Sequence, residues 1–439
     1  MAGGTWTIQN KIRPGAYVNF KSIPNPKNPT AAQGIATMPI VLHWGAEAQI
    51  TEILSTDLAD GTIKKKLGYD TKDAEMLTIR ECLKNCYKLL VYRVNTTGVK
   101  ATATLGALTA TAKYTGVRGN ALSLGILATT GSDLEVVTYL NGTEVDRQKT
   151  IQISALASND YLDFSGAGTL TATATKTLTG GTDGTSSKGN YDAYLELLKA
   201  KEWQVLGMPV DDVDITKATV SAIKTMREDL GKKVQAVVYN YPGDYEGVIS
   251  TKQGYVTTMG SVSTVDFVAY ATGISAGAAL PKPNTYHEIT DAIAIINPMT
   301  DAEIKTNLEQ GFMLISRCTD GAIVIEQDIN TLITFTDTKS KAFRKNRFIR
   351  TVDEICNGIS RTFEKSYIGK INNDITGREL FKQALIKYIT ALQDKAAIEN
   401  FTADDIVVTR GAEADSVVVN LAIKPIDAME KLYMTVEVS

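Results

Sequence analysis

Histidine occurs only twice in 439 residues, at His43 and His287, and cysteine only four times. That leaves little for general-base or metal chemistry, and no catalytic, cofactor or metal site is expected. Cys82 and Cys86 lie one helical turn apart rather than at CxxC spacing, so reduced thiols are expected in place of a disulfide framework. Net charge is scarce too. Lys plus Arg number 46 against 49 Asp plus Glu, a formal −3, so no global basic field exists to hold nucleic acid. Nowhere do 18 uninterrupted apolar residues occur, and no membrane insertion is expected. The opening MAGGTWTIQNKIRPG lacks the charged head and apolar core of a secretion signal and reads as a chain kept in a cytoplasm. What is present is ordinary globular composition, 44% hydrophobic and 22% charged, in a chain long enough for two to four packed units.

The sharpest composition shift runs from Thr96 to Lys188, which holds 20 threonines, 12 glycines and only 14 charged residues. Alternating runs such as ATATLGALTATAKY predict an all-β domain inserted at 96–188, with turns at Asn141-Gly142 and Gly180-Gly181. The stretch GGTDGTSSKGN reads as its flexible exit. On either side, 21–95 and 189–337, helices alternate with near-continuous apolar strands, among them QVLGMPV, VDFVAYATG, FMLISRC, AIVIEQD and TLITF. Such strands argue for a sheet covered on both faces, hence an α/β core.

From Thr338 to 425 the pattern is α+β. The stripe Ile349, Val352, Ile355, Cys356, Ile359, Phe363 marks one long helix, and Thr376 to Glu379 has the form of a capping box before a second. A hairpin follows at Ile406–Thr409 and Val417–Ile423.

Both ends are strand-like. Trp6, Ile8 and Ile12 alternate in an N-terminal arm (1–20), and Leu432, Met434, Val436 and Val438 share one face of a C-terminal arm (426–439). Burying such side chains is worth roughly 1.5–3 kcal/mol each, against about 1–2 kcal/mol per residue to order the strand. The two nearly cancel, so each arm needs an existing sheet. The pattern leaves open whether that sheet belongs to the same chain or to another.

No phosphate loop, HExxH, GxSxG or paired CxxC occurs, and ATGISAGAAL reads as a tight strand-to-helix turn. His43 and His287 read as packed or surface residues, and Asp211-Asp212-Asp214 and Asp404-Asp405 as helix-start and turn charges. The basic run Lys339 to Arg350 stands out. Positive charge at a helix start opposes the macrodipole, which points to an acidic protein partner or to a solvated helix start.

Three segments carry a family resemblance: KIRPGAYVNF, the block from GAIVIEQDINTLITF to EICNGI, and VVVNLAIKPIDAMEKLYMTVEVS. Together they resemble the tail sheath proteins of contractile-tailed phages, most of all those of PBSX-type prophages and of phage-tail-like bacteriocins (R-type pyocins, diffocins) of Gram-positive bacteria. The resemblance implies a helical sheath of stacked six-subunit rings around an inner tail tube protein, bounded by baseplate and tail terminator proteins. Such a sheath is assembled in a bacterial cytoplasm and contracts to drive the tube through an envelope, without a cofactor. It implies arms that add strands to a neighbour's hairpin, here Ile406, Val408, Val417, Val419, Leu421 and Ile423. It also implies an outward-facing 96–188 insertion and tube contacts in the C-terminal domain, assigned to Lys339, Lys341, Arg344, Lys345 and Arg347. Gly15, Ile23–Pro26 and Lys424–Met429 read as the joints. An α/β enzyme, or a host-surface binding protein using the β insertion, is the alternative.

Overall fold

The computed structural model describes residues 2–4, 15–17, 34–59, 61–131 and 133–437. They belong to two units, residues 1–33 and 34–439. In the first, the described backbone is a parallel strand pair, Ala2–Gly4 with Gly15–Tyr17. Trp6, Ile8, Ile12, the joint at Ile23–Pro26, and Val438 lie outside the described residues.

The second unit opens with β1 (Ile35–Ile40), buried at every position, then β2 (Ile50–Leu54), α1 (Leu77–Leu83) and β3 (Lys88–Arg93). The Thr-rich segment supplies β4 (Thr102–Leu105), β5 (Leu108–Ala112), β6 (Leu122–Ala128), β7 (Leu134–Leu140), β8 (Thr143–Thr150), β9 (Leu162–Gly166) and β10 (Thr173–Thr177). Then come α2 (Lys188–Leu198), β11 (Val205–Met208), α3 (Val213–Glu228), β12 (Gln235–Tyr239), β13 (Val248–Thr251), α4 (Phe267–Gly277) and β14 (Phe312–Met313). The central sheet runs β14-β13-β12-β11-β1-β3-β2, parallel except for β2. Its five inner strands are buried at nearly every position because α1 and α4 cover one face while α2 and α3 cover the other.

The segment VDFVAYATG is not a strand but most of helix α4, in which Phe267 to Ala276 are all buried. A helix that is apolar all round carries no periodicity to separate it from a buried strand. The glycines of GISAGAAL accordingly make no strand-to-helix turn. A Cβ on Gly273 would stand 2.1 Å from the Cys82 carbonyl oxygen, so the bare backbone lets α1 press against α4.

The Thr-rich segment forms two sheets, β8-β7-β6-β10 and β9-β5-β4. Asn141 and Gly142, both at positive φ, turn β7 into β8 as a two-residue hairpin requires. Gly180-Gly181 makes no hairpin. There the chain enters its way out, and Thr102, Val99 and Thr96 pair in turn with Thr179, Thr182 and Thr185. The exit expected to be flexible is therefore zipped to the entrance.

The last region holds α5 (Asn346–Ser366), α6 (Ile375–Asp394), β15 (Ile406–Arg410) and β16 (Val417–Leu421) around one apolar cluster. Asp374, not a Thr376 capping box, caps α6, its Oδ1 accepting from the Gly377 N–H at 2.7 Å. TLITF is an extended strap rather than a strand. Thr331 N–H donates to the Val248 carbonyl at 2.8 Å, and the Ile333 and Thr334 N–H groups donate to Asp244 Oδ1 at 2.7 and 2.9 Å. FMLISRC divides between β14 and a hairpin of Ile315–Arg317 with Ile323–Ile325. The result is a mixed α/β molecule carrying a β-sandwich.

Candidate assembly interface

Beyond Ala422 the chain enters no named strand, and its end is turned outward. Leu432 is 84% exposed, Met434 73% and Val436 68%. The final strand expected after Pro425 is absent from residues 431–437. Among the described residues the hairpin β15–β16 has two strands only, although α6 backs it. Ile406 is fully buried there, and Val408, Val417, Val419, Leu421 and Ile423 pack against the same cluster. The side chains expected to receive an arm thus face their own core. What the hairpin offers outward is its backbone edges and the exposed Val407 and Val418.

Lys424–Met429, expected to be a joint, is tied down. Glu399 N–H donates to the Lys424 carbonyl at 2.9 Å, Ile426 N–H to the Ala397 carbonyl at 3.1 Å, and Ile398 bridges Pro425. One residue on, Glu430 is sunk into the body. Thr285 Oγ1 donates to its Oε1 at 3.0 Å, and the Lys345 ammonium to its Oε2. These contacts close a groove of about 1230 Å³ between the helix Asp301–Glu309, residues Ser316 to Asp320 and the chain from Asp427 to Lys431.

The basic run is largely committed inside the chain. Lys339 Nζ lies 2.8 and 3.0 Å from the two Glu246 carboxylate oxygens, Lys345 holds Glu430, and Arg344 donates to the Leu308 carbonyl. Arg347 is 6% exposed; burial pulls its guanidinium pKa down while nearby Asp427 raises it. Arg350 reaches Asp328 Oδ2 at 3.0 Å. The counter-charges that the helix start calls for are therefore this chain's own acids, and the run is no free basic surface. Lys341 alone among the five tube candidates is exposed and unpaired in the described residues.

His43 Nδ1 sits 2.8 Å from Asp183 Oδ2 where the β-sandwich meets the core, and His287 is exposed. Buried Arg93 spans the same junction, donating to the carbonyls of Gly45 at 2.7 Å and Thr115 at 3.0 Å. Asp212 Oδ1 accepts from the Asp214 and Ile215 N–H groups, the helix-start role read for it. At the carboxyl ends of β1 and β11, where the strand order reverses, a crevice of about 330 Å³ is lined by Pro39, Tyr191, Pro209 and the acids Glu75 and Asp266. Neither histidine nor any lysine or cysteine lines it.

Two long-range contacts escape the sequence. One is Glu430 with Lys345. The other is Arg227 of α3 with Asp353 of α5, whose seam also carries Lys233 N–H to Asn357 Oδ1 at 3.0 Å and Asn357 Nδ2 to the Lys233 carbonyl at 2.8 Å. Partners this far apart in sequence leave no spacing signal.

Known proteins match this chain over nearly its whole length. Four sheath family descriptions match in sequence order: tail sheath protein Gp18 domain III N-terminal region over 33–94, the tail sheath β-sandwich domain over 96–183, the central domain over 184–331 and the C-terminal domain over 338–439. The chain is 33% identical over 472 aligned residues to the phage-like element PBSX protein XkdK of Bacillus subtilis (strain 168), covering all of both chains. A crystal structure of a sheath tail protein from Desulfitobacterium hafniense superposes with a TM-score of 0.83 at 38% identity, over 96% of this chain and 99% of that one. The helical sheath of the anti-feeding prophage in its contracted state shares the fold, with a TM-score of 0.56 at 13% identity over 97% and 98% of the two chains. The chain belongs to the phage tail sheath proteins, and its role is that of a tail sheath subunit. Among the described residues no helix is long and apolar enough to cross a membrane.

Proposed function

We propose that copies of this chain are linked through their terminal segments, each C-terminal segment adding a strand to the β15–β16 edge of a neighbour, with the N-terminal segment joining the same sheet. One observation carries the reading: a tail with exposed Leu432, Met434 and Val436 coexists with a hairpin that has two strands among the described residues. Two-stranded sheets are marginal, and strand addition supplies both the missing ladder and cover for the apolar side chains. A head-to-tail contact that does not close gives a filament, as a helical sheath of stacked six-subunit rings requires.

The ladder bonds survive a rigid-body move while body-to-body contacts change partners, so contraction is a repacking that draws on a metastable extended state. No reaction enters it; the role is mechanical and needs no cofactor. The particle is assembled in a bacterial cytoplasm around an inner tube, between baseplate and terminator, with the 96–188 sandwich outward. Its contraction drives the tube through an envelope. Lys341 is the residue of the basic run left to meet the tube.

Deleting Lys431–Ser439 is expected to leave a folded monomer that forms no sheaths by negative-stain electron microscopy. Normal sheaths from that truncation overturn the proposal.

A further inference from the structure

Glu430 inverts the burial of its surroundings. Met429 before it is fully exposed and Leu432 after it is 84% exposed, yet the Glu430 side chain is only 12% exposed. An acid withdrawn from water between two solvent-facing apolar residues is held there by its partners. Those partners lead inward. Thr285 Oγ1, which donates to Glu430 at 3.0 Å, also accepts the Asp328 N–H at 3.0 Å. Asp328, 1% exposed, binds Asn346 Nδ2 at 2.9 Å, Arg350 Nη2 at 3.0 Å and the Asn284 N–H at 3.0 Å. Lys345, the second partner, directly precedes α5. One charged side chain therefore joins the tail to the start of the helix that the Arg227–Asp353 pair fixes to the core.

We propose that Glu430 is a positioning residue, the pin that fixes where the C-terminal arm leaves the body. This rests on the reading of that segment as an arm engaging a second copy. With the pin closed, the free length starts at Lys431. If Glu430 lets go and the backbone bonds at Lys424 and Ile426 follow, the free length starts six residues earlier, at Pro425, which adds at most about 21 Å of reach. A longer, looser tether reaches more sites and lowers the effective concentration at each, so a pinned root selects one neighbour.

The test uses the full-length chain and the variants Glu430→Ala, Glu430→Gln and Lys345→Met. Hydrogen–deuterium exchange of residues 424–430 is expected to rise about tenfold in Glu430→Ala, with exchange in α5 and β12 and the melting temperature unchanged. Glu430→Gln, which still accepts from Thr285, falls between wild type and Glu430→Ala. Assembled samples of Glu430→Ala should show branched or irregular polymers by electron microscopy. Unchanged exchange at 424–430 in both Glu430→Ala and Lys345→Met overturns the pin. If the truncated chain lacking 431–439 still forms sheaths while Glu430→Ala loosens 424–430, the arm reading fails and the pin stands.

Discussion

Arg227 on α3 and Asp353 on α5 form a two-point ion pair, Nη1 to Oδ2 at 2.6 Å and Nη2 to Oδ1 at 2.8 Å, and both residues are buried. Arg227 Nη1 also donates to the Val234 carbonyl at 2.8 Å, so one guanidinium stitches the α5 helix to the strand edge of the core. Buried pairs of this kind add little net stability but are costly to break from one side. Asp353→Asn should lower unfolding stability by about 3–5 kcal/mol in urea denaturation of the unassembled chain, and the double variant Arg227→Met/Asp353→Leu should recover much of that. Additive losses would show the two residues acting independently.

Replacing Gly273 tests the helix crossing. In an exposed helix Gly→Ala stabilises by restricting the unfolded chain. Here the new methyl meets the Cys82 backbone carbonyl at 2.1 Å, so the sign reverses, with an expected loss of about 1–3 kcal/mol and a lower melting temperature.

The strap at 331–334 should respond to acid. Burial tends to raise the Asp244 carboxyl pKa, but hydrogen bonds from Thr334 and Ile333, with Lys224 close by, outweigh it and hold that pKa below the ordinary range. A carboxylate depressed in the folded state stabilises above its unfolded value and loses that contribution as pH falls through the folded one. Exchange at the Ile333 and Thr334 amides should therefore accelerate below about pH 4, and Asp244→Asn should abolish the step.

The sequence made the amphipathic parts legible. The three-and-four stripe through Ile349 and Ile355 does bury one side of α5, and Asn141-Gly142 does turn a hairpin. It misled where one-dimensional pattern carries no information. Phe267 to Ala276 is buried on all sides, so it lacks the period that marks a helix, and TLITF is an apolar run held by Asp244 from 89 residues away. The basic run was visible as a charge anomaly, but its answer lies in Glu246, Asp328 and Glu430, which only the fold brings near. The alternation in the terminal segments was visible in the sequence, whereas the anchoring of 424–430 was not.

The closed neck of the β-sandwich has a bearing on how such a molecule can change over generations. Because Thr96 and Thr185 are hydrogen-bonded partners, the chain crosses between core and sandwich at one place, beside a junction where His43 meets Asp183, Arg93 meets the Thr115 carbonyl and Arg118 meets the Gly68 carbonyl. Selection can then lengthen, shorten or resurface the far hairpin β7–β8, whose described side-chain hydrogen bonds and ion pairs stay within the sandwich, while the core and its junction are inherited intact.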